Sequence, residues 1–461
     1  MTQCDLAVNG GSVVTPSGVV KANVGVVGER IALVSSDSID GREIIDASEC
    51  LVLPGLIDPH VHFRMPQGAY FTSDDYATGS RSAACGGVTT YIDFVVQPAG
   101  GSAVAAIRER LAEAESNSAI DFTFHAALTN STDATLSEIS ELASMGVKSF
   151  KFFLTYKKFG FYTDLGFLGD AMREIARVGG VAVIHAEDDE ILTRLSQKLM
   201  ASGETGIRGL ATQRPAYAEE IAIASVGILA RETGCTTAIA HLSSRRGLVA
   251  VQRARKDGAP IVAETCPQYL ILSQDLLSRP DGCLFTFTPT MKEPEDAEAL
   301  WTGIADGGIT YLGSDHSPFD RAVKLSADGF AAISPGIPGT ETILPLFFSE
   351  GVGNARMSVE RLVEMTSSAT AQLFGLPFKG RIQIGSDADL VVLNPEKEVT
   401  ISSEILHSRC DYTPYEGVKV RGFPVLTVSR GEVVMRDGKF VGRAGRGRFA
   451  TDRTASVDRG M

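Results

Sequence analysis

The sequence predicts an α/β fold: a (β/α)8 barrel of the TIM type with a second, smaller β-sandwich domain built from both chain ends. Three observations carry this expectation. The 461 residues exceed the size at which one simple core keeps growing, so a large barrel plus a satellite domain is expected. From Gly55 onward, short apolar strand-like runs alternate with longer amphipathic stretches, the pattern of repeated β–α units. Both ends of the chain have a different texture, short Val- and Ile-rich segments punctuated by turn residues.

Residues 1–54 read as hairpins of a small β domain, with turns at Asn9-Gly10-Gly11, Pro16-Ser17-Gly18 and Gly28-Glu29-Arg30. Residues 55–378 read as the barrel. Its strand-like runs are Val88 to Phe94, Phe122 to Leu128, Gly146 to Phe153, Val181 to His185, Thr237 to His241, Ile261 to Glu264 and Ile309 to Gly313, and Ala103 to Ala114 has helical spacing. Residues 379–441 return to β texture in Gly380 to Gly385 and Asp389 to Leu393, the other half of the sandwich. Residues 442–461 are polar, Gly/Arg-containing and short of apolar anchors, which reads as a tail for a neighbouring subunit to order.

Composition excludes several classes. Apolar residues make up 44% and charged residues 21%, ordinary for a soluble globular protein, and apolar stretches such as Ile221 to Ala230 end too early to span a bilayer. The N-terminus has neither a basic region nor a long apolar one, so the expected address is the cytoplasm. Seven scattered cysteines without a C-x-x-C pair argue for reduced thiols and against a thiolate zinc site. A net charge of -13 repels nucleic acid phosphates, so no nucleic acid partner is expected.

The chemistry concentrates in Gly55-Leu56-Ile57-Asp58-Pro59-His60-Val61-His62. On a strand, residues i and i+2 share a face, so His60 and His62 both point into the barrel mouth and form half a metal site. An isolated H-x-H is more often chance or a satisfied core pair. Here, however, two more of the seven histidines, His185 and His241, each close an apolar run at its C-terminal end, and Asp315 follows another such run. In a barrel that end is the catalytic face. Lys151 closes a further strand; such a lysine reads as a phosphate binder, a solvated charge, or, beside two divalent ions, a neutral amine able to add carbon dioxide and bridge them as a carbamate.

These residues, with Gly313-Ser314-Asp315-His316, Cys266-Pro267-Gln268-Tyr269-Leu270 and Gly385-Ser386-Asp387-Ala388-Asp389, resemble the cyclic amidohydrolases, and within them the dihydropyrimidinase/hydantoinase group, over nearly the whole chain. The resemblance implies two divalent metal ions per chain, zinc being usual and manganese, cobalt or iron compatible with nitrogen and carboxylate ligands. One ion would be held by His60, His62 and Asp315, the other by His185 and His241, with N6-carboxylated Lys151 between them. It also implies ring opening of a dihydropyrimidine or 5-substituted hydantoin by a metal-bridging hydroxide, Asp315 moving the proton and Tyr156 holding the oxyanion. Glu264 and Asp58 are the reserve bases, Asp58 rather a residue that orients a histidine. The expected partners are a small cyclic amide or imide and further copies of the chain, as a homotetramer or dimer.

The residues matching the family's ring-edge contacts are Thr288 and Pro335, where hydantoinase-like chains carry serine and asparagine; proline offers a carbonyl but no N–H. Arg64 is a second departure. If the strand continues past His62, Arg64 shares the histidines' face and is positioned to grip an anionic substituent, the alternative being a pair with Asp74 or Asp75. This arginine and Asp315-His316-Ser317-Pro318 lean toward an allantoinase or another cyclic imide hydrolase. A non-catalytic scaffold of the same fold is the third reading, disfavoured because all six ligand positions are filled.

Overall fold

The computed structural model describes residues 3–67 and 70–451. Eight parallel strands form one sheet in chain order: β1 (Leu56–Val61), β2 (Val88–Val96), β3 (Asp121–Ala127), β4 (Ser149–Phe153), β5 (Val181–His185), β6 (Thr236–Ile239), β7 (Ile261–Thr265) and β8 (Tyr311–Leu312). The sheet closes where His62 N donates to His316 O (2.8 Å) and His316 N to His60 O (3.1 Å), so the residues just past β8 pair with the end of β1. Helices α1 (Tyr76–Cys85), α2 (Ala103–Asn117), α3 (Asp133–Ser144), α4 (Leu165–Arg177), α5 (Ala216–Thr233) and α6 (Arg245–Lys256) lie along the connections.

Alternation along the strands sorts the core into two layers. In β5, Val181 and Val183 face inward with Ile57, Ile92, Ala238 and Tyr311, whereas Ala182 and Ile184 face the helices. The interior is therefore packed with side chains. None of the described helices is long and apolar enough to cross a membrane.

Both chain ends meet in one seven-stranded sheet. Leu51–Pro54 pairs antiparallel with Leu390–Thr400, which pairs in turn with Lys419–Ser429. A four-stranded sheet from Arg30–Ser35, Asn23–Val27, Cys4–Asn9 and Gly41–Asp46 packs on it, and Val8, Val24, Val52, Leu390, Val392 and Val428 share a buried core.

Two expectations are corrected. Gly380 to Gly385 forms no strand; it is a loop whose Gly385 N donates to Ile31 O (2.8 Å). Residues 442–451 are not left for a neighbouring subunit to order: Gly447 N donates to Ser118 O (2.8 Å), Arg448 N to Asp121 Oδ1 (2.9 Å) and Ala450 N to Phe122 O (2.7 Å), while the Phe449 ring packs 5.6 Å from that of Phe124. This segment binds the base of the barrel beside β3. Residues 452–461, the rest of the expected tail, lie outside the described residues.

Candidate active site

The six expected ligands gather at the C-terminal rim. Ile57 and His60 both face inward although three residues apart, and the β1–β2 pairing explains it: Asp58 pairs with Tyr91 but Val61 with Asp93, an irregularity that inserts one residue on β1. His60 Nε2 and His62 Nε2 each lie 3.2 Å from Asp315 Oδ1. The His60 ring is 5.4 Å from His241, which is 4.5 Å from His185. Lys151 Nζ sits 4.9 Å over the Phe94 ring, itself 4.6 Å from His60.

His241 (φ 39°), Asp315 (φ 52°) and Tyr156 (φ 68°) have left-handed backbones without being glycine. Strain of this kind persists where surrounding contacts over-determine it. Asp58 supplies some of them: its Oδ1 accepts from His60 N (3.2 Å) and Ser314 N (3.1 Å), and its Oδ2 from Ser314 Oγ (2.6 Å). It thus ties the backbones of two ligand segments together rather than orienting a histidine ring.

Carboxylates behind the site orient the rings. Glu264 Oε2 lies 2.8 Å from His60 Nδ1 and also accepts from His241 N (2.8 Å). Glu187 Oε2 lies 2.8 Å from His185 Nε2 and is gripped by the Arg214 guanidinium. Glu264 was expected as a reserve base and is instead a histidine partner. Glu187 and Arg214 were not anticipated, although Glu187 at i+2 from His185 was a readable signal. Burial opposes the charge of Glu187, but Arg214 and His185 outweigh it and bring the carboxyl down to about 2. Burial lowers His60, His185 and His241, which keeps these imidazoles neutral and able to ligate.

The donor set fits divalent ions. The ligand atoms of His60, His62 and Asp315 are buried and lie within 4.8 Å of one another. His62 Nδ1 and His241 Nδ1 are buried without a hydrogen-bond partner among the described residues. Lys151 is 1% exposed, its Nζ makes no hydrogen bond among the described residues, and burial brings the amine down to about 8. Burial raises Asp315 less than the neighbouring His60 and His62 lower it, so its carboxyl sits below the ordinary value.

Beside this cluster the Tyr156 ring lies 5.1 Å from that of His185, and its Oη is 2.5 Å from Thr288 Oγ1. Burial pushes the phenol up to about 12, so it keeps its proton. Among the described residues, the Thr288 backbone and the Pro335 carbonyl make no hydrogen bond, although both residues are half-buried. Gly336 N donates to Thr286 O (2.9 Å), which joins the two segments.

Arg64 is a correction. Strand β1 stops at Val61, Arg64 has φ 48°, and its side chain turns outward to Glu113 of α2 (3.7 Å), 60% exposed. The count by twos fails because the strand ends before it. Asp74 and Asp75 are not its side-chain partners either; only its backbone N–H reaches Asp74 O (2.7 Å).

Residues 51–434 match the model of the Amidohydrolase family. The chain is 35% identical over 449 residues to the D-hydantoinase of Geobacillus stearothermophilus, covering 96% of this chain and 95% of that one. It is 38% identical over 412 residues to a D-phenylhydantoinase of Escherichia coli O1:K1, covering 88% and 89%. Its fold is similar to that of a D-hydantoinase (dihydropyrimidinase) from Thermus sp., with TM-score 0.94, 35% identity and coverage of 97% and 98%. With the ligand cluster assembled at the rim of a closed barrel, these similarities show that the chain belongs to the amidohydrolase family, in its hydantoinase/dihydropyrimidinase group.

Proposed function

We propose that this protein hydrolyses a C–N bond of a cyclic amide or imide, a dihydropyrimidine or 5-substituted hydantoin ring. The observation that carries the reading is the convergence of His60, His62 and Asp315 on one point beside His185, His241 and a buried Lys151. His60, His62 and Asp315 would hold one divalent ion, His185 and His241 a second, and carboxylated Lys151 both; zinc suits the set, as do manganese, cobalt and iron. When bound, such ions act as Lewis acids and make water a nucleophile near neutral pH.

The protein's own groups do the rest. Asp315, ionised and facing the site, accepts a proton from the attacking water and delivers it to the departing ring nitrogen, which is a poor leaving group without it. Tyr156, protonated throughout the neutral range, donates to the developing oxyanion. The unspent backbone groups of Thr288 and Pro335 complement a ring edge that carries both a carbonyl and an N–H.

The allantoinase alternative loses Arg64, its main support, to the outer surface. A scaffold that has shed its metals is disfavoured by the complete ligand set. The reading extends to a cytoplasmic address, in keeping with seven free cysteines, to a homo-oligomer, tetramer or dimer, and to a chain divided into 1–54, 55–378 and 379–441. The deciding experiment is elemental analysis of Lys151→Ala beside the wild type. Two metals per wild-type chain, with the variant losing the second metal and its activity on dihydrouracil and hydantoin, is expected; full occupancy in the variant would remove the bridge.

A further inference from the structure

Lys324 is 1% exposed and lies on a short helix, Arg321–Leu325, outside the metal cluster. Its Nζ donates to Thr286 O (2.7 Å), Thr286 Oγ1 (2.8 Å), Ser334 O (2.9 Å) and Gly336 O (2.9 Å). No carboxylate pairs with it among the described residues. A buried amine that spends its protons on uncharged acceptors is costly unless all its contacts are made.

Those acceptors sit two residues before Thr288 and on either side of Pro335. The helix carrying Lys324 is itself fixed, since Arg321 N donates to Asp411 Oδ1 (2.7 Å) and Ser73 Oγ to Asp320 Oδ1 (2.5 Å) at its start. With the carbonyls of Ser334 and Gly336 turned to Nζ, that of Pro335 between them stays without a donor among the described residues. Pro335 cannot contribute an N–H, so its carbonyl is the one backbone group it can offer a substrate.

We infer that Lys324 is a positioning residue: it staples the 286–288 and 334–336 segments together so that the Thr288 N–H and the Pro335 carbonyl stand at the spacing of an imide edge. The inference rests on the cyclic amide reading and specifies how the ring is held. A ring with adjacent carbonyl and N–H groups uses both contacts, whereas the chemistry at the metal cluster does not touch the lysine. Lys324 therefore acts on substrate binding more than on the bond-breaking step.

The test compares wild type, Lys324→Gln and Lys324→Met as metal-loaded full chains, with metal content, melting temperature and steady-state kinetics on hydantoin and dihydrouracil. Lys324→Met should keep its metals and raise KM about ten-fold while kcat changes less than about three-fold, and Lys324→Gln, which keeps two donors, should fall between. An unchanged KM in folded, metal-loaded variants overturns the inference, as does a fall in kcat at constant KM. Failure of both variants to fold would assign the lysine to stability and also overturn it. Absence of ring opening by the metal-loaded wild type would be a failure of the hydrolase reading itself, not of the staple alone.

Discussion

The Arg64 guanidinium lies 3.7 Å from Glu113 with 60% of its side chain in solvent, so its attraction is screened and is worth well under about 1 kcal/mol. Arg64→Leu should accordingly change kcat/KM by less than about two-fold, and equally on rings with and without a carboxylate. A loss confined to carboxylate-bearing rings, measured side by side with hydantoin, would return Arg64 to the site. The six candidate ligand positions could be picked out because all but Lys151, the central residue of β4, stand near or just past a strand's C-terminal end, where residue type signals chemistry. The orienting residues were harder to pick out. Glu264, closing the run Ile261 to Glu264, was marked for the rim but not as the carboxylate behind His60, and nothing local in Arg214 distinguishes a guanidinium on Glu187 from ordinary surface charge.

Helices α5 and α6 are joined through Glu219, which is 2% exposed and accepts from Ser243 N (2.9 Å), Ser243 Oγ (3.0 Å) and Ser244 Oγ. Ser244 in turn caps α6, accepting from Gly247 N (3.0 Å), so this carboxyl organises the loop that follows His241. Burial drives it up to about 7. A carboxyl raised on folding favours the native state most below its unfolded value and loses that contribution as pH climbs through the folded one. Between pH 5 and 8 the wild type should therefore lose on the order of 2 kcal/mol relative to Glu219→Gln, read as a widening gap in melting temperature. A gap constant across that range would mean that Glu219 titrates normally. At this scale the strands were readable from apolar runs. The insertion on β1 was not, because register depends on a partner strand's pairing, and Gly380 to Gly385 misled because it meets the strand Arg30–Ser35 only at its last residue, too briefly for a ladder.

Besides apolar contact, the barrel and the sandwich are joined through a buried charge cluster centred on a carboxylate at the start of β3. Asp121 accepts from Lys379 Nζ (2.6 Å), Arg430 Nε (2.9 Å) and Arg448 N (2.9 Å), and Lys379 also reaches Asp389 Oδ2 (2.8 Å). Hydropathy registers the arginines near the C-terminus as a polar tail because it does not see an acid far upstream that folding brings beneath them. Burial raises Asp121, but Lys379 and Arg430 outweigh it, so its carboxyl is held below the ordinary value. A carboxyl lowered on folding supplies stability above its unfolded value, near 4, and withdraws it as pH falls through the folded one. Asp121→Asn takes from two buried cations a carboxylate they share, while Lys379 keeps Asp387 and Asp389 and Arg430 keeps Glu29, and should cost on the order of 1.5–3 kcal/mol at pH 7. Because the lost contacts lie between the two units, calorimetry should resolve the single wild-type transition into two in the variant. The gap to wild type should then narrow as pH falls below the unfolded carboxyl value and on through the lowered folded one. A gap that does not narrow however far the pH falls below about 4, or one unbroken transition at a lower temperature, would place the coupling between barrel and sandwich in their apolar contact and not in this charge.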